Sequence, residues 1–183
     1  MCAASAVFID RDGVINRKMG EGEYVNELDE FEILPGSIDA LVRLSKHGFS
    51  VIVVTNQQGV GRGLTSPQML DRIHDELRAK VAAAGGEITA IMVCPHIEGT
   101  CDCRKPQVGL FVEAQRLYPE ISFSDSFVIG DSASDMEAAA RIGAQAIRVS
   151  DSPATNGKDE TAVWSLAQAT ELLLGSGVVS NEV

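Results

Sequence analysis

Five short apolar runs, at 7–9, 51–55, 88–93, 126–129 and 146–149, alternate along the chain with amphipathic stretches at 37–47, 67–84, 108–118 and 134–142. Few architectures tolerate that alternation. Short strands that read as near-continuous Val, Ile and Phe must be covered on both faces, and intervening helices supply the cover. The pattern predicts parallel βαβ units in an open, mainly parallel, doubly wound α/β sheet. Gly48 and Gly143 stand where helix C-termini would place them, and Thr65-Ser66-Pro67-Gln68 reads as a helix start with proline in the first turn. A last helix is expected at 164–174, and the polar segments 17–34 and 151–160 read as a flap and a loop. No repeat and no long linker divides the 183 residues, so one domain is expected over 1–175, with 176–183 as a tail.

Charge narrows the function classes. The chain carries 26 acidic and 15 basic residues, a net charge of −11, which argues against a general affinity for nucleic acid. A small anionic substrate stays open, because a local site can be positive on an acidic protein. No apolar run approaches the roughly 20 residues that span a bilayer. The start lacks the basic stretch of a secretory signal. A cytoplasmic monomer without membrane contact is the expectation.

In an open parallel sheet the binding crevice forms beyond the strand C-termini. The reactive residues fall there. The first apolar run ends abruptly in Asp10-Arg11-Asp12-Gly13-Val14, and the second in Thr55-Asn56-Gln57 before a glycine-rich turn. The third leads to Arg104-Lys105-Pro106, and the fourth to Gly130-Asp131, with Asp135 four residues on. Carboxylates that close repel unless a cation or a proton intervenes. Magnesium suits them, while a lysine, a threonine hydroxyl and loop N–H groups suit phosphate oxygens. The set describes phosphoryl transfer. Singly, each piece has a plainer reading, such as strand-end turns or a helix cap at Ser132–Asp135; jointly they favour chemistry.

Cys94, His96, Cys101 and Cys103 crowd into ten residues, while Cys2 stands apart. A Cys₃His set matches tetrahedral structural zinc, closed by four protein ligands. Cys101 and Cys103 are too close to pair comfortably as a disulfide. Zinc there would pin the loop that presents Arg104 and Lys105. His47 and His74 lie within helical patterns and read as surface or packing residues.

The four strand-end motifs, in this order, resemble those of the haloacid dehalogenase superfamily of phosphohydrolases, over residues 6 to 150. That resemblance implies a Rossmann-like fold, here with a short zinc loop and no large cap domain. It implies Asp10 as nucleophile, Asp12 as acid and then base, and Thr55 and Lys105 on the transferring phosphoryl group. Asp10, the backbone carbonyl of Asp12, and Asp131 would hold magnesium, with Asp135 in support and a proton on Asp12 keeping the paired aspartates apart in role. The sequences "DRDGVIN", "TNQQGVGRG" and "CPH…CDCRKP" together look like D-glycero-D-manno-heptose 1,7-bisphosphate 7-phosphatases, with a small phosphorylated sugar as partner. On that resemblance Asn16, the 17–24 flap, Asn56, Gln57 and Arg62 line the substrate side, and Arg104 contacts the sugar or its second phosphate. Histidinol-phosphate phosphatases share the zinc loop. A polynucleotide 3′-phosphatase would need a basic cleft, and a phospho-acceptor module would lack the paired aspartates after the first strand.

Overall fold

The computed structural model of the chain describes residues 4–20, 22–152 and 161–175. Cys2, most of the loop expected at 151–160 and the tail expected at 176–183 lie outside the described residues. Six strands, β1 (Ala6–Ile9), β2 (Ser50–Asn56), β3 (Ala90–Cys94), β4 (Phe127–Gly130), β5 (Gln145–Val149) and β6 (Thr161–Val163), form one sheet in the order β3-β2-β1-β4-β5-β6. Every neighbouring pair runs parallel. The helices are α1 (Ser37–Lys46), α2 (Gln58–Gly61), α3 (Pro67–Ala83), α4 (Gly109–Leu117), α5 (Ala133–Ile142) and α6 (Leu166–Gly175).

Alternation within the strands assigns the two faces. Val7, Ile9, Val51, Val53 and Ile129 pack with residues of α1, α3 and α6, such as Leu44, Ile73, Leu77 and Leu173. Ala6, Phe8, Ile52, Val54 and Val128 pack with Leu110, Phe111 and Ala114 of α4 and Ala138 and Ala139 of α5. Phe8 meets Phe111 edge-on at a 5.1 Å centroid distance. Strands buried on both faces explain the continuous apolar runs.

Chain direction reverses about β1. The chain builds outward to β2 and β3 on one side, then returns to build β4, β5 and β6 on the other. Such a switch point opens a crevice at the C-terminal end of β1, beside those of β2 and β4. Asp10 follows that end directly.

The helix signals hold in detail. Ser66 caps α3, accepting from Met69 N–H at 3.1 Å with Pro67 in the first turn. Gly48 and Gly143 take positive φ, as expected after α1 and α5. Two elements were not expected. One-turn α2 follows β2 at once, and β6 is three residues long. Strand β3 starts two residues later than expected and runs on to Cys94, placing the first cysteine of the cluster on a strand end. The flap at 17–34 carries one 3-10 turn at Leu28–Glu30 and is anchored by buried Val25 and Phe31. Among the described residues no helix is long and apolar enough to cross a membrane.

Candidate active site

Half-buried Asp10 and buried Lys105 and Asp135 form a row at the switch point. Lys105 Nζ lies 3.0 Å from Asp10 Oδ1 and 2.6 Å from Asp135 Oδ1, and donates to the Val54 carbonyl at 2.7 Å. Asp10 Oδ1 also accepts from the Arg11 N–H at 2.7 Å. Burial pushes the Asp10 carboxyl up to about 7 against the pull of Lys105, and Asp135 and Asp12 push the same way. Asp135 doubles as a helix cap, since its Oδ2 accepts from Ser132 N at 3.1 Å. The capping reading of this segment holds, and the same carboxylate faces Lys105 beside Asp10. Its side chain sits against Gly130, where a Cβ would come within 2.2 Å of Asp135 Cγ, so the strand must end in glycine.

Asp12 has a different environment. Arg11 Nη2 reaches both its oxygens, at 2.9 and 3.0 Å, with Asn16 Nδ2 at 2.9 Å and Gln57 Nε2 at 2.6 Å. Burial works against ionisation of Asp12, but Arg11 and these donors outweigh it and hold the carboxyl below its ordinary range. The proton expected on Asp12 is therefore not favoured by its surroundings; the environment selects the carboxylate.

Asn16 and Gln57 were expected to face substrate. Both are buried and absent from the cavity wall, with their amide nitrogens donating to Asp12; Asn16 Nδ2 also donates to the Arg17 carbonyl at 2.8 Å, and Gln57 Nε2 to Thr55 Oγ1 at 2.7 Å. The structure places both beside Asp12, away from the cavity wall. Arg62 is exposed after α2 and does not line the cavity either.

The cavity itself has a volume of about 460 Å³ and is walled by Asp10, Asp12, Thr55, Asn56, Arg104 and Asp131, with Tyr24 and neighbouring flap residues opposite. Asn56 also clamps the next loop: it accepts from Lys105 N at 3.0 Å and donates to Lys105 O at 3.1 Å. Arg104 Nη1 is shielded from solvent and has no hydrogen-bond partner. An unpaired buried guanidinium nitrogen is costly, and an anion in the cavity is a natural complement. Lys105 lies behind Asp10 rather than on the cavity wall.

The acidic set fits a hard divalent ion. Asp10, Asp131 and Asp135 each offer an oxygen within 4.8 Å of the others. Asp131 Oδ1 is buried without a hydrogen-bond partner, while Oδ2 pairs with Lys18 at 2.6 Å. A Cβ on Gly13, whose φ is 91°, would fall 2.5 Å from Asp131 Oδ2, so only glycine admits Asp131 here.

The second cluster fits a softer ion. The sulfurs of Cys94, Cys101 and Cys103 are separated by 3.3, 3.4 and 3.5 Å, and His96 Nδ1 lies 3.2 Å from Cys103 Sγ. A tetrahedron with metal–sulfur bonds of about 2.3 Å has edges of about 3.8 Å, close to this spacing. The donor set could hold zinc.

Sequence reasoning passed over two residues. Arg11 is fully buried, and His74, read as a surface or packing residue, is buried against it. Arg11's position between two motif aspartates was visible; its partner 63 residues away was not.

A family model described as HAD-hydrolase-like matches residues 102–169. The D-glycero-beta-D-manno-heptose-1,7-bisphosphate 7-phosphatase of Pseudomonas putida is 43% identical over 145 residues, covering 78% of this chain and 81% of that one. The D-glycero-alpha-D-manno-heptose-1,7-bisphosphate 7-phosphatase of Mycobacterium bovis is 44% identical over 141 residues, covering 76% and 74%. A solved D,D-heptose 1,7-bisphosphate phosphatase from B. bronchiseptica, complexed with magnesium and phosphate, superposes with a TM-score of 0.85 at 32% identity, over 94% of this chain and 99% of that one.

Proposed function

The chain belongs to the haloacid dehalogenase-like family of D-glycero-D-manno-heptose 1,7-bisphosphate 7-phosphatases, and on that premise we propose that it releases the 7-phosphate of this sugar bisphosphate through an aspartyl-phosphate on Asp10. The observation that carries the mechanism is the contrast between the two aspartates. Lys105 and the Arg11 N–H both fall on Asp10 Oδ1, which leaves Oδ2 as the attacking oxygen. Asp12 is instead enclosed by donors and ionised.

Attack by Asp10 on phosphorus breaks the bond to the sugar oxygen, which leaves as the 7-hydroxyl. The leaving oxygen takes its proton through Asp12, and a phosphate monoanion brings that proton into the site. In the second half Asp12, again ionised, accepts a proton from water as the water attacks phosphorus and breaks its bond to Asp10; Asp12 then passes that proton to the departing inorganic phosphate and returns to its ionised state. Two half-reactions thus use one residue in both protonation states. Thr55 and Asn56, on the cavity wall, supply polar groups to the phosphoryl oxygens, and Arg104 takes the second phosphate of the bisphosphate.

Asp10, Asp131 and the Asp12 backbone carbonyl would hold magnesium, with Asp135 in support. Bound there, magnesium supplies charge neutralisation of the phosphoryl group. Cys94, His96, Cys101 and Cys103 would hold a structural zinc, fixing the loop that carries Arg104 and Lys105.

Phosphate release with magnesium, compared between both anomers of the heptose bisphosphate and histidinol phosphate, tests the reading. A higher kcat/KM for either heptose bisphosphate supports it. A preference for histidinol phosphate keeps the chemistry and overturns the substrate.

A further inference from the structure

We propose that His74, on α3, is a positioning residue for Asp12 and acts through Arg11. The proposal rests on the reading of Asp12 as the acid and base of a phosphatase. It starts from the charged side chain buried deepest in the molecule. Arg11 has no exposed surface, yet a guanidinium keeps its charge at any pH of interest. Every one of its donors must then find a partner inside the protein.

Those partners divide the guanidinium in two. Nε and Nη2 face Asp12, with Nε 3.3 Å from Oδ1 and Nη2 spanning both oxygens. Nη1 points the other way and meets Nε2 of His74 at 3.2 Å. The Phe31 ring lies 5.8 Å from the guanidinium carbon, a cation–π contact from the anchored end of the flap. Arginine can only donate, so Nε2 of His74 must be the unprotonated nitrogen. Burial and the Arg11 charge both hold the ring neutral, which suits that role.

His74 is itself fixed. It sits on α3 among Leu70, Ile73 and Leu77, which pack into the core, and is buried with them. The helix therefore sets the ring, the ring sets Nη1, and the rigid guanidinium plane carries that placement to the Asp12 carboxylate. Without an acceptor at the position of Nε2, Nη1 becomes an unpaired buried donor. The fork then gains by turning toward another acceptor and away from Asp12. Asn16 and Gln57 still hold the carboxylate, so a partial loss of orientation is expected rather than collapse. A misplacement of that size costs roughly 10- to 100-fold in turnover.

Three variants separate positioning from packing. His74→Gln puts an amide oxygen near the place of Nε2. His74→Asn has the same chemistry but falls one bond short, and His74→Leu removes the acceptor. With magnesium and heptose 1,7-bisphosphate, kcat should fall roughly 10- to 100-fold in the Asn and Leu variants while KM stays within about threefold, and Gln should keep at least about half of the wild-type kcat. A packing role would lower the melting temperature without separating Gln from Asn in kcat. Equal kcat for Gln and Asn overturns the proposal, whether or not the Leu variant folds. A wild type that releases no phosphate from the bisphosphate sinks the functional reading instead. Crystal structures then decide on positioning: an Asp12 carboxylate turned in His74→Asn but held in His74→Gln supports it, and one unmoved in both overturns it.

Discussion

Lys105 Nζ stands 3.0 Å from Asp10 Oδ1 with almost no access to solvent, and the same ammonium serves Asp135 at 2.6 Å. One buried cation thus answers two carboxylates, with Asp131 and Asp12 close by. The imbalance is the site's affinity for further positive charge. It is also a source of instability, because like charges at this separation in a buried place repel strongly.

Asp10→Asn tests both sides of that imbalance. The amide cannot form the acyl phosphate, so turnover should fall on the order of 10⁴-fold or more. The same change removes a crowded negative charge. With chelator at pH 8 the variant should melt higher than the wild type, and magnesium should narrow the gap. Phosphate release and thermal unfolding measure the two effects. Retained turnover would remove Asp10 from the nucleophile's role; a lower melting temperature under chelator would contradict the repulsion.

Cys101→Ser should lose the second metal. Cys103 precedes Lys105 by two residues, and Asn56 clamps the Lys105 backbone from the neighbouring strand. Structural metal binding contributes directly to folding free energy. Bound zinc, read by mass spectrometry of the purified protein, should drop from about one equivalent, with a melting temperature lowered by several degrees. Unchanged zinc content and melting would count against the cluster as a metal site.

The sheet was legible because its central strands are covered on both faces, so β1, β2 and β4 stand out as apolar runs. β6 did not stand out: three residues carry no periodicity, and its pairing to β5 decides it. One-turn α2, containing Gly59 and Gly61, lacks an amphipathic pattern for the same reason of length. At the site, Asp10 and Asp131 were visible as charges ending apolar strands, and the cysteine cluster by its spacing. The sides of the carboxylate were not. Asn16 lies four residues from Asp12 and Gln57 forty-five, but only the folded chain shows that the amide nitrogens of both are turned to its carboxylate. The Arg11–His74 contact depends on how α3 lies against the sheet, which no local pattern encodes.

Arg104→Ala should discriminate between substrates. Arg104 lines the cavity, and its buried Nη1 has no partner. If that nitrogen answers the second phosphate, KM for the bisphosphate should rise roughly 10- to 100-fold with kcat little changed, since one charge-assisted contact contributes about 1.5–3 kcal/mol. A sugar monophosphate lacking the 1-phosphate should be affected far less. Equal losses on both would place Arg104 on the transferring group.

The neutral ring of His74 gives the fold a pH dependence of definite sign. Burial first, then the charges of Arg11 and Arg78, lower its pKa from 6.5 to about 3. In the unfolded chain the ring takes up a proton as pH falls through 6.5, whereas the folded protein refuses it until about 3. The contribution of His74 to stability is therefore complete above the unfolded value and is lost progressively as pH falls between the two. His74→Gln has no such proton to refuse. Between pH 7 and pH 5 the wild type should lose up to about 2 kcal/mol relative to this variant, from roughly 1.5 pH units below the unfolded pKa at 1.36 kcal/mol each. Urea unfolding of both proteins at the two pH values reads the difference, and the comparison cancels the carboxylates they share. A gap that stays constant would mean that the ring is protonated as readily folded as unfolded. Arg11 would then lose the acceptor that its Nη1 needs, and with it the link from α3 to Asp12.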